Sequence, residues 1–394
     1  MRWFSQVAEL TVFNLLTLPK RAGSAISSMV GIAGVVAVLV GVLSIGQGIT
    51  RMLTETGSPD AAIILRSGAD SEMVSALTRE DAKIIADAPG VARKDGAGLL
   101  SPEIFVIINL PKRTTGTDAN VPLRGVEKTV FDVRTNVKIV DGRMLEWGRN
   151  EIVAGRGALA EFAGLELGKS IEIGRNQWTI VGIFEANGGL EESEMWADAS
   201  VLGPAYQRSA GYQTLLVKLS SAGSYQQFED ALSSDPRLFV KVQRVSEYYA
   251  QQGRVLNTLV TVLGGLVAML MGLGALFGAL NTMYTAVAAR SREIATLKAL
   301  GFGASPVVVS VIVESMILAT IGGTIGALLA WAGFDGYRAA TMNWQSFSQI
   351  TFAFDVNVRL LVEGILYALA IGMVGGLFPA IRAARLPIAV ALRE

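Results

Sequence analysis

The chain contains neither cysteine nor histidine. The first absence removes disulfide frameworks and thiol nucleophiles. The second removes Ser-His-Asp triads, histidine metal sites and histidine proton relays. Any chemistry would have to run on carboxylates, lysines or hydroxyls. Charge is scarce as well: Asp, Glu, Lys and Arg make up 17% of the 394 residues and cancel to a net charge of zero. Bulk attraction to nucleic acid therefore has no support. No two carboxylates can be paired in space from the sequence, so hydrolase chemistry is unsupported. A chain without cysteine also fits an extracytoplasmic domain.

Apolar residues reach 51%, and there are 43 glycines, a level that suits close helix packing in lipid. Four apolar runs are long enough for the ~30 Å hydrocarbon core. They predict spans at 23–49, 255–285, 306–333 and 358–381. Small-xxx-small pairs occur in three of them: Gly274 with Gly278, Gly322 with Gly326, and Gly372 with Gly376. Such pairs mark helix contacts in lipid, and in a glycine-rich chain they also arise by chance. Residues 1–22 carry Trp3, Phe4, Val7, Leu10, Phe13 and Leu16 at roughly helical spacing, with Gln6, Glu9 and Asn14 opposite. This reads as an amphipathic helix on the cytoplasmic membrane surface or packed on other protein. A cleaved signal peptide is not expected, because Arg2 is the only basic start and the apolar run begins too late.

Residues 50–254 differ in texture. Strands are expected at Ala61–Arg66, Ile104–Ile108, Ile171–Ile173, Trp178–Phe184 and Thr214–Leu219. Helices are expected at Arg79–Ala88 and Tyr225–Leu232, the first opened by Thr78 and Asp81 in S/T-x-x-D spacing. This is an α+β domain inserted between the first and second spans. The fold class is thus an α-helical membrane protein with four transmembrane helices and one large inserted domain.

Between the second and third spans lies Ala288 to Gly301, with Arg290, Arg292, Glu293 and Lys298 in a chain otherwise poor in charge near the lipid. Ile294, Leu297 and Leu300 fall on one helical stripe. The segment reads as a short amphipathic helix at one membrane face, able to pass a push from a soluble partner into the spans, or as an ordinary positively charged loop. Basic residues flank the spans unevenly. Arg2, Lys20, Arg21, Arg290, Arg292, Lys298, Arg382, Arg385 and Arg393 lie on one side, against Arg338 and the borderline Arg359 on the other. Both termini and the 286–305 segment are therefore expected in the cytoplasm, with residues 50–254 outside the inner membrane and 334–357 a short loop on that same outer side.

Three features invite stronger readings. Residues 164–170, GLELGKS, resemble a phosphate loop, but that motif needs four residues between its glycines and here there are three. A turn before the strand at Ile171 is the better reading. Glu314, in the third span, is costly in lipid and reads as a packed, hydrogen-bonded structural residue or as a signalling contact. Glu191, Glu192 and Glu194 read as a solvated acidic loop, or as a contact for a cation or partner.

The run Arg292-Glu293-Ile294-Ala295-Thr296-Leu297-Lys298-Ala299-Leu300-Gly301 resembles the R-E-I-G-x-L-[RK]-A-x-G motif of the MacB/FtsX/LolC–LolE permeases of ABC transporters, the mechanotransmission or type VII group. Ala295 replaces the usual glycine, which a helix tolerates. Glu314 and Gly322-Gly323-x-x-Gly326 continue the likeness. The end of the chain, from Gly376 through Pro379, Arg382, Arg385 and Pro387 to Arg393, is similar to the G-x-x-P-A-x-R-A-A-R-x-x-P-x-x-A-L-R ending of that group. The likeness is strong over 286–394 and looser over 124–204.

The resemblance implies a dimer formed through the spans. It also implies an outer domain with a Porter lobe and an inserted Sabre lobe at about 112–210. It makes the 286–305 segment a coupling helix whose Arg292, Glu293, Ile294, Leu297, Lys298, Leu300 and Gly301 contact an ABC ATPase. MacB carries its ATPase ahead of its first span and none is read here. ATP and Mg are therefore expected on a separate cytoplasmic subunit, with no cofactor or metal bound by this chain. The function implied is MacB-like export of periplasmic substrates through an adaptor and an outer-membrane channel. Lipoprotein release of the LolC/LolE kind and FtsX-like control of cell-wall hydrolases are the alternatives.

Overall fold

The computed structural model describes residues 2–17, 22–343, 346–385 and 387. Lys20, Arg21 and the Ala389–Arg393 end of the carboxyl-terminal motif lie outside them. The helices are α1 (Arg2–Thr17), α2 (Ala22–Glu55), α3 (Arg79–Ala86), α4 (Val130–Val133), α5 (Arg156–Glu161), α6 (Ala199–Ala205), α7 (Tyr225–Ser234), α8 (Val245–Ala289), α9 (Ser291–Ala299), α10 (Ala304–Phe334) and α11 (Val358–Arg385). The strands are β1 (Ala61–Arg66), β2 (Leu77–Thr78), β3 (Arg93–Lys94), β4 (Ala97–Gly98), β5 (Leu100–Pro111), β6 (Asp118–Val126), β7 (Lys138–Gly142), β8 (Glu151–Gly155), β9 (Ser170–Ile173), β10 (Asn176–Glu185), β11 (Met195–Asp198), β12 (Gly211–Tyr212), β13 (Thr214–Lys218), β14 (Val240–Arg244), β15 (Arg338–Met342) and β16 (Gln349–Ala353).

The chain divides into two compact units, Met1–Gln47 with Thr258–Tyr337 and Phe354–Glu394, and Gly48–Asn257 with Arg338–Ala353. The first holds the apolar helices. Among the described residues, four helices are long and apolar enough to cross a membrane: α2, α8, α10 and α11. Their packing follows from small residues. A Cβ on Gly322 would lie 2.7 Å from the Met29 carbonyl oxygen, and one on Gly326 would strike Ala33, so both glycines let α10 sit against α2. Gly372 abuts Ala319, and Gly376 abuts Ser315, along the seam between α10 and α11. The Ser315 hydroxyl donates to the Gly372 carbonyl at 2.7 Å, which satisfies a polar group inside that seam. Gly274 and Gly278 differ from the other pairs: among the described residues, a Cβ on either would meet nothing within 4 Å, so this pair packs against none of them. Among these helices α8 is the least covered, with 17% of its apolar window buried against 39–44% for the others.

The second unit is built on one sheet, ordered β14-β1-β13-β5-β6-β11-β8-β10-β7, with β9 against β10. Only β8–β10 and β6–β11 are parallel pairs along it. The expected strands and the helices α3 and α7 are present, and Thr78 and Asp81 form a reciprocal capping box at the start of α3. Two of the apolar cores along the sheet involve its helices. One gathers Ile64, Leu215 and Val217 with Ile85 of α3 and Phe228 of α7. The other gathers Val106, Leu123, Ile152 and Ile180 with Phe162 and Trp178.

The strand β5 pairs with β13 through Leu100–Glu103 and with β6 from Ile104 onward, so one long strand joins the two ends of the sheet. The expected loop 334–357 is more ordered than read. It contains the hairpin β15–β16, whose alternation of residues buries Ile350 and Phe352.

Candidate functional site

The site begins at the end of α8. After Ala289 the chain turns at the single residue Arg290 and enters α9. Three devices fix α9 in the first unit. The first is apolar: Ile294 is 7% exposed and packs with Leu10, Met283, Val287 and Val307, with Leu297 partly buried beside them. The second is ionic. Arg290 Nη1 lies 3.2 Å from Glu314 Oε2, with the two side chains 8% and 3% exposed. Arg290 Nη2 also donates to the Asn14 carbonyl of α1 at 3.3 Å, and Asn14 Nδ2 donates to the Ser310 hydroxyl of α10 at 3.3 Å. One guanidinium thus ties the α8–α9 turn to α10 and α1.

The third device is the end of α9. The Gly301 N–H donates to the Lys298 carbonyl and the Phe302 N–H to the Leu297 carbonyl, the paired bonds of a Schellman motif. The turn needs φ of +95° at Gly301, a left-handed value that glycine adopts without steric cost. Phe302 joins the apolar cluster that also holds Leu297. Lys298 Nζ donates to the Ala384 carbonyl at 2.8 Å, in the last turn of α11, where a cation meets the negative end of the helix dipole.

These contacts divide the expected coupling residues. Arg292, Glu293 and Leu300 are exposed, Leu300 at 73%, and form the outward edge. Ile294 is not on that edge, because burial against α1, α8 and α10 uses it internally. Leu297, Lys298 and Gly301 serve the seating and termination of α9. Glu314 is paired and packed, the structural reading of that residue. Asn14 is a member of the site that the sequence reading did not single out.

The second unit carries a second cluster that the sequence reading misjudged. Glu191, Glu192 and Glu194 are not a solvated loop: all three are buried. Glu194 accepts both Nε and Nη2 of Arg124, at 2.7 and 2.6 Å. Arg124 Nη1 also reaches Glu72 at 2.8 Å and Glu103 at 2.7 Å. Glu103 in turn accepts Arg134 Nη2 at 2.9 Å, and Arg134 Nη1 reaches Glu191 at 3.1 Å. Phe105 lies 4.9 Å below the Arg124 guanidinium. Burial opposes ionisation of Glu103, but the Arg134 and Arg124 guanidiniums hold its carboxyl below the usual range. Among the described residues no group of carboxylates is arranged to hold a metal ion. Residues 164–169 form the turn before β9, with Gly164 and Gly168 both at positive φ.

Comparisons with known proteins agree with this architecture. The family profile of the MacB-like periplasmic core domain matches residues 25–235, and that of the FtsX-like permease C-terminal region matches residues 265–388. The uncharacterized ABC transporter permease YknZ of Bacillus subtilis is 24% identical over 93% of this chain and 94% of its own length. The macrolide export ATP-binding/permease protein MacB of Hahella chejuensis is 23% identical over 100% of this chain but 61% of its own length. Among solved structures, the periplasmic region of MacB from Actinobacillus actinomycetemcomitans aligns over 52% of this chain and 97% of that one, at 15% identity and a TM-score of 0.37. With the core-domain profile spanning more than half of its residues, the chain belongs to the MacB/FtsX family of ABC transporter permeases.

Proposed function

We propose that this chain receives the work of a separate cytoplasmic ABC ATPase at α9 and passes it to the sheet domain, driving export of periplasmic substrates. The observation that carries this reading is the asymmetry of α9. Arg292, Glu293 and Leu300 face outward, while the opposite face is clamped by Ile294, by the Arg290–Glu314 pair and by Lys298 on the end of α11. A helix held on that many sides transmits a push to α10, α1 and α11 rather than yielding to it. ATP and Mg would be bound by the partner, and two copies of this chain would work with two ATPases. The excess of basic residues in the short flanks supports a cytoplasmic α9. By likeness to MacB, substrates would leave through an adaptor and an outer-membrane channel.

Affinity purification from native membranes in mild detergent, followed by mass spectrometry, tests the reading. The wild-type chain should bring down an ABC ATPase, and Leu300→Asp or Arg292→Glu should lose most of it while keeping the same gel-filtration profile. Absence of any ATPase with the wild type, or undiminished recovery with both variants, would remove α9 as the docking helix. Recovery of a lipoprotein carrier or a cell-wall hydrolase activator in place of an adaptor would redirect the export reading and leave the coupling reading intact.

A further inference from the structure

The 3₁₀ turn Leu190–Ser193 joins several parts of the sheet domain. Its Leu190 N–H donates to the Thr56 hydroxyl, just beyond the end of α2, at 2.6 Å. Its Ser193 hydroxyl lies 3.1 Å from the Thr351 hydroxyl and accepts the Thr351 N–H at 2.9 Å, which fastens the hairpin β15–β16. Its Glu192 accepts the N–H groups of Ala186 and Gly188, at 2.9 and 2.7 Å. Glu191 is matched less well. Oε1 accepts from Arg134, but Oε2 is buried and has no hydrogen-bond partner.

The charges around it do not balance. Four buried carboxylates (Glu72, Glu103, Glu191 and Glu194) share the two guanidiniums of Arg124 and Arg134. An interior does not retain surplus charge when one group can shed it by binding a proton. The neighbours identify that group. From the end of α4, Arg134 faces Glu191 but gives two of its donors to Glu103. Glu194 on the same segment repels it, and Arg124 of β6 is committed to three other carboxylates. Tyr249 of α8 faces Arg134. Glu55, at the end of α2, borders the same cleft of about 220 Å³ that Glu191 and Arg134 line. Charges on the other packed elements are paired elsewhere: Glu151 of β8 with Arg143, Glu185 of β10 with Arg156 of α5, and Glu161 of α5 with Lys112. The strand β16 carries none.

We propose that Glu191 is a proton-binding site whose neutral form seats the 3₁₀ turn and whose ionisation loosens it, so that the junction of the α2 end, the hairpin and the buried arginines answers to the acidity of the compartment the domain faces. The inference stands apart from the coupling reading, since it concerns only the sheet domain. Burial, opposed by Arg134, pushes the Glu191 carboxyl up to about 7 from 4.5. A carboxyl raised in the seated state favours seating in full below about 4.5. That contribution is lost as pH rises toward about 7, and above it no further loss is expected.

The test uses the full chain in nanodiscs. Hydrogen exchange of residues 186–194 and 349–353, corrected for the intrinsic rate, should lose on the order of 100-fold protection between about pH 5 and about pH 7.5, close to tenfold per unit. In Glu191→Gln the protection should hold across that range. Infrared difference spectra should show a protonated carboxyl that titrates near neutrality and is missing from Glu191→Gln. The same pH dependence in the variant, or a carboxyl band unaffected by it, overturns the proposal. So does a Glu191→Gln chain that cannot fold, because glutamine mimics the neutral form held to seat the turn.

Discussion

At the scale of the residue, the buried arginines of the sheet domain have the largest consequence. Arg124 is fully enclosed and answers three carboxylates at once. Its replacement by leucine leaves those carboxylates stranded, and removing one partner of such a pair costs roughly 3–5 kcal/mol. Chaotrope unfolding of the detergent-solubilised chain should register that loss, together with a marked fall in expression. Gly301 offers a subtler case. Alanine there is forced to a left-handed φ, which costs roughly 1–2 kcal/mol. Because the strain falls on the last turn of α9, Gly301→Ala should reduce ATPase coupling more than it lowers the unfolding midpoint, and both are measured on one preparation. The chemistry of these residues was only partly legible in the sequence. Glu103 and Arg124 interrupt apolar strands, LSPEIFVIINLP and DANVPLRGV, and a charge inside such a run signals a buried pair. Who pairs with whom depends on sheet order, which no local pattern carries. The Glu191–Glu194 run looked solvated for the same reason: its arginines are 57 and 70 residues away.

At the scale of the element, the same contrast holds. The long apolar helices, β1, α3 and α9 were all readable from periodicity, capping and hydropathy, because each is determined by its own residues. The stripe of Ile294, Leu297 and Leu300 was correctly helical, yet its outer edge could not be assigned without α1 and α10, which bury its first member. The hairpin was missed because its strands are short, and because their support comes from the distant turn at Leu190–Ser193. Removing that support is a direct check. Ser193→Ala deletes two hydrogen bonds to Thr351 and should cost about 1–2 kcal/mol. Faster hydrogen exchange confined to 338–353 and the facing turn is the expected signature, with the apolar helices unchanged.

At the scale of the whole molecule, the open flank of α8 matters most. Gly274 and Gly278 lie on a face that meets none of the described residues of the chain, beside the exposed Leu270, Leu273 and Phe277. If two copies meet there, Gly274→Leu should leave folding intact and shift detergent-solubilised protein from dimer toward monomer, as mass photometry would show; an unchanged dimer would assign that face to lipid. Gly326→Leu is the contrasting variant, since it strikes α2 within one copy and should destabilise the monomer itself. Both pairs share one sequence spacing, and only the packed structure tells them apart.

The hairpin also has a consequence for how the molecule is made. The sheet domain occupies Gly48–Asn257, but its last piece, Arg338–Ala353, is translated only after α8, α9 and α10. Domains of growing chains tend to fold as units from the amino end during synthesis. Here the outer domain must wait, with the seat for Ile350 and Phe352 still open, until the third apolar helix has left the ribosome. Completion of the domain thereby becomes a report on the first three apolar helices, with α11 still to follow.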